Sequence, residues 1–112
     1  MSELYAESTP KLQARRKELA PEPLAAFHEF SRRVFADGAL SVQVKQLIAL
    51  AVAHTTQCPY CIRGHTEGAV RAGATDEQIM EAIWVAAEMR AGAAYAHSTI
   101  ALDTLERIRA AV

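Results

Sequence analysis

The sequence holds only two cysteines among 112 residues, and they are three positions apart, at Cys58 and Cys61. Thiols so close in sequence cannot staple distant parts of a fold, which excludes a secreted disulfide scaffold. In a reducing compartment such a pair is more often catalytic or metal-binding. An excess of charge of one sign is also missing: 12 Lys and Arg stand against 13 Asp and Glu, a formal charge of −1. Without a basic surplus there is little to neutralise nucleic-acid phosphates, so no nucleic-acid partner is expected. The one local basic cluster, Lys11, Arg15, Arg16 and Lys17, is interrupted by Leu12, Gln13 and Ala14 and followed by Glu18, as on a solvated helix face. The longest apolar run, Leu47 to Ala53, falls far short of a membrane span. No early stretch joins a charged start to a long apolar segment and a small-residue cleavage site, so a soluble, cytoplasmic protein is expected. Aromatics make up only 6% of a chain that is 51% hydrophobic. Much of the remainder is alanine, which suits close helix–helix contact better than a thick core within one chain, so homo-oligomer interfaces are expected.

Strand-like alternation, hairpin turn signals, internal repeats and low-complexity tracts are absent as well, which leaves an all-α fold in one continuous domain, residues 1–112. At this length folding buries about 65% of the unfolded surface, enough for one core with a small margin. Leu24, Phe27, Phe30, Val34 and Phe35 recur at helical spacing between Pro21-Glu22-Pro23 and Asp37-Gly38, as in an amphipathic outer helix. Ser41 is a plausible N-cap for a helix over Val42 to Thr56, apolar on all sides from Leu47 and so expected to be central and buried. A further helix opens at Cys58, with Pro59 in its first position and Gly73 at its exit. Thr75 and Gln78 form a capping box ahead of Ile79, Met80, Ile83, Trp84 and Ala87. Gly92 is expected to break or kink that helix before a last one carrying Tyr95, His97, Ile100, Leu102, Leu105 and Ile108, which makes five to six helices in all. His28 reads as structural, and Trp84, Met80 and Met89 as core or interface packing.

Cys58, Cys61 and His65 fall at offsets of three, four and seven residues, which return to nearly one direction on a helix. A thiol at a helix N-terminus meets unpaired backbone N–H groups and the positive end of the dipole, both of which favour thiolate. His65, one turn beyond Cys61, is placed to accept its proton directly or through water. Cys58 can then resolve an oxidised Cys61 as a disulfide before over-oxidation. The dipole alone favours the earlier thiol, Cys58, as nucleophile. A metal set of His54, Cys58, Cys61 and His65 is the alternative, but four ligands within twelve residues across a helix junction differ from the two-knuckle spacing of structural zinc modules, and no metal or cofactor is expected.

These residues resemble the carboxymuconolactone decarboxylase and alkylhydroperoxidase D-like family over Leu40 to Glu81. The resemblance rests on Leu40-Ser41 leading into Gln46-Leu47-Ile48-Ala49-Leu50-Ala51-Val52-Ala53, then Gln57-Cys58-Pro59-Tyr60-Cys61 with His65-Thr66, then Ala72-Gly73-Ala74-Thr75. Weaker similarity extends to Gly92-Ala93-Ala94-Tyr95-Ala96-His97. It implies an alkylhydroperoxidase D-like helical bundle assembled as a trimer or hexamer, with thiol peroxidase or disulfide reductase activity. It further implies a hydroperoxide substrate and a dithiol or disulfide-reductase partner. Carried over by position, Cys61 is peroxidatic, Cys58 resolving and His65 the proton acceptor.

One position departs from the family pattern. The glutamate that often stands twelve residues before the first cysteine, where it relays protons with the histidine, is Gln46 here. An amide holds a hydrogen bond but does not give up a proton in the same way. Glu67, Glu88, His54 and His97 are the other candidates for a relay, each also readable as surface or packing material. Two further functions stay open: a decarboxylase or related lyase, a branch that does not depend on a Cys-x-x-Cys pair, and a non-catalytic thiol or metal sensor.

Overall fold

The structure, a computed structural model, describes residues 4–112. These form five helices, α1 (Pro10–Leu19), α2 (Pro21–Phe35), α3 (Val42–Thr56), α4 (Pro59–Arg71) and α5 (Asp76–Ala110), and no strand among the described residues. The all-α expectation holds. The chain divides into two compact units, Met1–Lys45 and Gln46–Val112.

In the first unit, Thr9 caps α1 by accepting from the Leu12 N–H at 3.2 Å, and Pro10 occupies the first helical turn. Helix α2 carries the expected apolar stripe, while Glu29 bonds Arg32 and Arg33 on the opposite face at 2.6 and 2.7 Å. No residue of α2 is buried, and Phe27 and Phe30 stay 63% and 64% exposed. Lys45 donates to the Val34 and Ala36 carbonyls at 2.8 and 2.5 Å, placing a cation on the negative end of α2. Asp37 accepts from the Val42 N–H at 3.0 Å and Ser41 from the Val44 N–H at 3.2 Å, so two side chains fix the start of α3.

In the second unit the buried residues are Leu50 and Ala53 of α3, Ala69 of α4 and Ala86 of α5. Three alanines beside one leucine leave helix backbones free to approach closely, as the composition implies. Helix α3 is not buried on all sides: Ile48 and Val52 remain 48% and 53% exposed, because the chain covers only the face that carries Gln46, Leu50 and Ala53. Its last turn is tied to α5 by Arg90, which donates to the Thr55 carbonyl at 2.5 Å. Helix α5 opens with the full Thr75–Gln78 capping box. The expected break at Gly92 does not occur, and α5 runs unbroken for 35 residues. One glycine costs about 1 kcal/mol relative to alanine inside a helix. That is too little to stop one flanked by Ala91, Ala93 and Ala94. Trp84, Met80 and Met89 are 68%, 50% and 61% exposed, so none belongs to a core of this chain.

Leu50 is fully enclosed. Leu50→Ala is expected to cost about 3 kcal/mol of stability through lost burial and the cavity left behind. The check is a urea midpoint measured at fixed chain concentration.

Candidate redox site

The candidate site grows from the joint between α3 and α4. The Cys58 N–H bonds the Ala53 carbonyl at 3.1 Å, five residues back, which is the wide closing bond of a helix C-terminus. That closure needs a left-handed residue between, and Gln57 supplies it at φ 56° although glycine is the residue that adopts this region without strain. Cys58 then serves as N-cap of α4, its sulfur accepting from the Cys61 N–H at 3.3 Å, with Pro59 in the first turn. Both cysteines are free thiols and half-buried.

Electrostatics separates the two sulfurs. The Cys61 thiol donates to the Cys58 sulfur, and together with the backbone N–H groups of Cys61 and Tyr60 this holds the Cys58 thiol below the ordinary thiol range against a smaller desolvation effect. The same bond, then burial and the neighbouring Cys58 charge, push Cys61 up. Cys58 is thus the more readily ionised, in line with the dipole argument, and Cys61 keeps its proton until a base removes it.

Gln46 faces inward on α3 at the spacing 46, 50, 53 and meets His65 of α4, Oε1 to Nδ1 at 2.9 Å. This joins residues 19 apart in the chain. Gly68, one turn beyond His65, was not singled out by the sequence reasoning: a Cβ there would collide with the Gln46 carboxamide, coming within 2.6 Å of its Cδ. A glycine inside α4 on the His65 face is the signal that could have found it. Arg90 was missed too, since nothing local marks a side chain that reaches from α5 to the end of α3. The remaining relay candidates lie elsewhere. His54 Nδ1 is engaged by the Leu50 carbonyl of its own helix at 2.8 Å. Glu67 is exposed and two residues from His65, an offset that turns it away from the His65 face. Glu88 and His97 are exposed on α5. Among the described residues, no three His, Cys, Asp or Glu side chains converge as a metal-binding set. No helix among them is long and apolar enough to cross a membrane.

The sequence pattern of the carboxymuconolactone decarboxylase family matches residues 21–104, which include α3 and α4, the two helices that build this site. The chain belongs to that family. An uncharacterised protein in the cox locus of Paracoccus denitrificans is 70% identical over 83 residues, covering 74% of this chain and 75% of the relative. A carboxymuconolactone decarboxylase family protein of Legionella pneumophila has a solved structure that superposes with a TM-score of 0.67 at 34% identity over 70% of each chain. A Thermotoga maritima member, for which an involvement in antioxidative response has been suggested, aligns at 31% identity with a TM-score of 0.58, over 78% of this chain and 90% of that one.

The opposed acidities predict opposed alkylation profiles. Followed by mass spectrometry at each site, Cys58 should react with iodoacetamide at lower pH than an ordinary thiol and Cys61 at higher pH, because only the thiolate reacts. Cys61→Ala removes the first cause of the Cys58 acidity and should move the Cys58 profile to higher pH. Coincident profiles for the two thiols would rule out the asymmetry.

Proposed function

We propose that this protein is a thiol-dependent oxidoreductase that reduces hydroperoxides through Cys58 and Cys61, with His65 as proton acceptor. The observation that carries this reading is the Cys58 sulfur capping α4 on the Cys61 N–H at 3.3 Å, one turn before a histidine held by Gln46. Because Cys61 is the less acidic thiol, its proton needs an acceptor, and His65 at i+4 is on the right face to take it. The Cys61 sulfur attacks a peroxide oxygen, the O–O bond breaks, and a sulfenic acid forms while the departing alkoxide takes up the thiol's proton and leaves as an alcohol. The Cys58 sulfur then attacks the Cys61 sulfur, the S–O bond breaks, and water leaves behind a disulfide. An external dithiol restores both thiols by exchange. The lowered Cys58 pKa suits this second step, since it raises the share of resolving thiolate.

A second reading draws on that same acidity: Cys58 as the attacking thiolate of a disulfide oxidoreductase. Both readings fit a reducing cytoplasm and differ in which sulfur reacts first. Peroxide consumption with a dithiol reductant separates them from each other and from the other functions open to the family. Cys61→Ser should abolish turnover, and Cys58→Ser should let sulfenic or sulfinic acid accumulate on Cys61. Oxidation confined to Cys58 would support the exchange reading. A decarboxylase would keep working with both cysteines replaced by serine, and a sensor would change assembly or bind metal without turnover.

The site is proposed to work within a homo-oligomer of three or six chains. Helix α5 is about 52 Å long, more than twice the length of α3 or α4. Its residues 93–110 are exposed throughout, yet Ala91 to Leu102 contains no charged residue. A long uncharged helix segment rich in small residues is normally covered, and a second copy supplies a matching surface. Light scattering at micromolar concentration should give at least a trimer, and a monomer would refute the assembly.

A further inference from the structure

We infer that Gln46 is a positioning residue that fixes the His65 proton on Nδ1, making Nε2 the basic nitrogen of the site, and that Gly68 is glycine to admit the Gln46 carboxamide. The inference rests on the redox reading for its consequence, though not for its geometry. A carboxamide oxygen has no hydrogen, so at 2.9 Å the bond has one sense: Nδ1–H donates and Oε1 accepts. With the proton held there, the neutral ring accepts at Nε2.

A second observation points to the same carboxamide. Position 68 lies inside α4, where alanine is the better helix former. A Cβ at 68 would nevertheless come within 2.6 Å of Gln46 Cδ, with Oε1 closer still. The carboxamide is the far end of a flexible side chain and could move, but moving it breaks the bond to His65. Gly68 therefore leaves open the place from which Gln46 reaches the ring. Unlike a carboxylate at this position, the amide takes no proton from the imidazolium, so it acts on the chemistry only through the orientation and tautomer of His65.

The test uses the full chain with ¹⁵N-labelled histidine. Ring nitrogen shifts at a pH where His65 is neutral should show Nδ1 protonated in the wild type. Gln46→Met fills the same space without an acceptor, and should mix or invert the tautomers and slow Cys61 alkylation about tenfold or more, part of what a general base contributes. Gln46→Glu still accepts from Nδ1 and should keep the wild-type tautomer. Gly68→Ala should reproduce the Gln46→Met shifts, and in a Gln46→Ala background it should add nothing, because no carboxamide remains to be displaced. An unchanged tautomer in Gln46→Met, or an equal effect of Gly68→Ala in both backgrounds, would overturn the inference. The ring shifts are read without peroxide. A wild type that shows the fixed tautomer but consumes no peroxide would therefore refute the redox function and leave the positioning role standing.

Discussion

Cys58 does two things to the backbone at once: its N–H closes α3 on the Ala53 carbonyl, and its sulfur opens α4 by accepting the Cys61 N–H. Most N-caps are oxygens, which hold the first turn firmly and have no further chemistry. A sulfur is a weaker acceptor, so the cap it makes is poorer. What it receives in return is the field of the helix terminus and a second donor, the Cys61 thiol. The redox-competent atom and the atom that sets the direction of α4 are thus one atom. Gln57 at φ 56° follows from the same constraint, because closing one helix and opening the next through a single residue forces the residue before it into the left-handed region.

Features governed by neighbours in sequence were legible without coordinates. The Thr75–Gln78 box, the Ser41 cap, Pro59 in the first turn and Gly73 at the exit each involve groups within a few residues, and each takes the form that local rules imply. The three residues of the thiol site were readable for the same reason, being one helix face. Gly92 does not end α5, because the cost of one glycine is small beside the helix preference of the alanines around it. Gln46 could be flagged by its place in a family pattern but not joined to His65, since the bond spans 19 residues and depends on how closely α3 approaches α4. Gly68 is the reciprocal of that approach and has no meaning until the approach is known.

Burial shows where reasoning from one chain stops. An apolar stripe identifies the face of a helix that will be covered, but says nothing of what covers it. On α2 the stripe is present and no residue is buried. On α3 one side closes over Leu50 and Ala53 while Ile48 and Val52 stay open. On α3 the enclosed and open faces are both apolar, so hydrophobicity alone does not tell which of them the chain itself covers.

The order of acidities within the pair bears on why a base is needed at all. Had Cys61 been the N-cap, the helix terminus would have ionised it directly and a histidine one turn on would be redundant. Placed inside the first turn, Cys61 instead donates to Cys58 and is driven toward the thiol form. The hydrogen bond that makes Cys58 acidic makes Cys61 a thiol that reacts only when something removes its proton. In the proposed reaction His65, at i+4, answers that requirement, and a base answers it well only if its accepting nitrogen is defined. The chain of dependence then runs outward from the sulfur pair to His65, from His65 to the Gln46 carboxamide, and from the carboxamide to the missing Cβ of Gly68. Each step removes a freedom that the previous group would otherwise have, so a site whose reactive atoms lie in one short stretch of α4 is governed by a residue of α3.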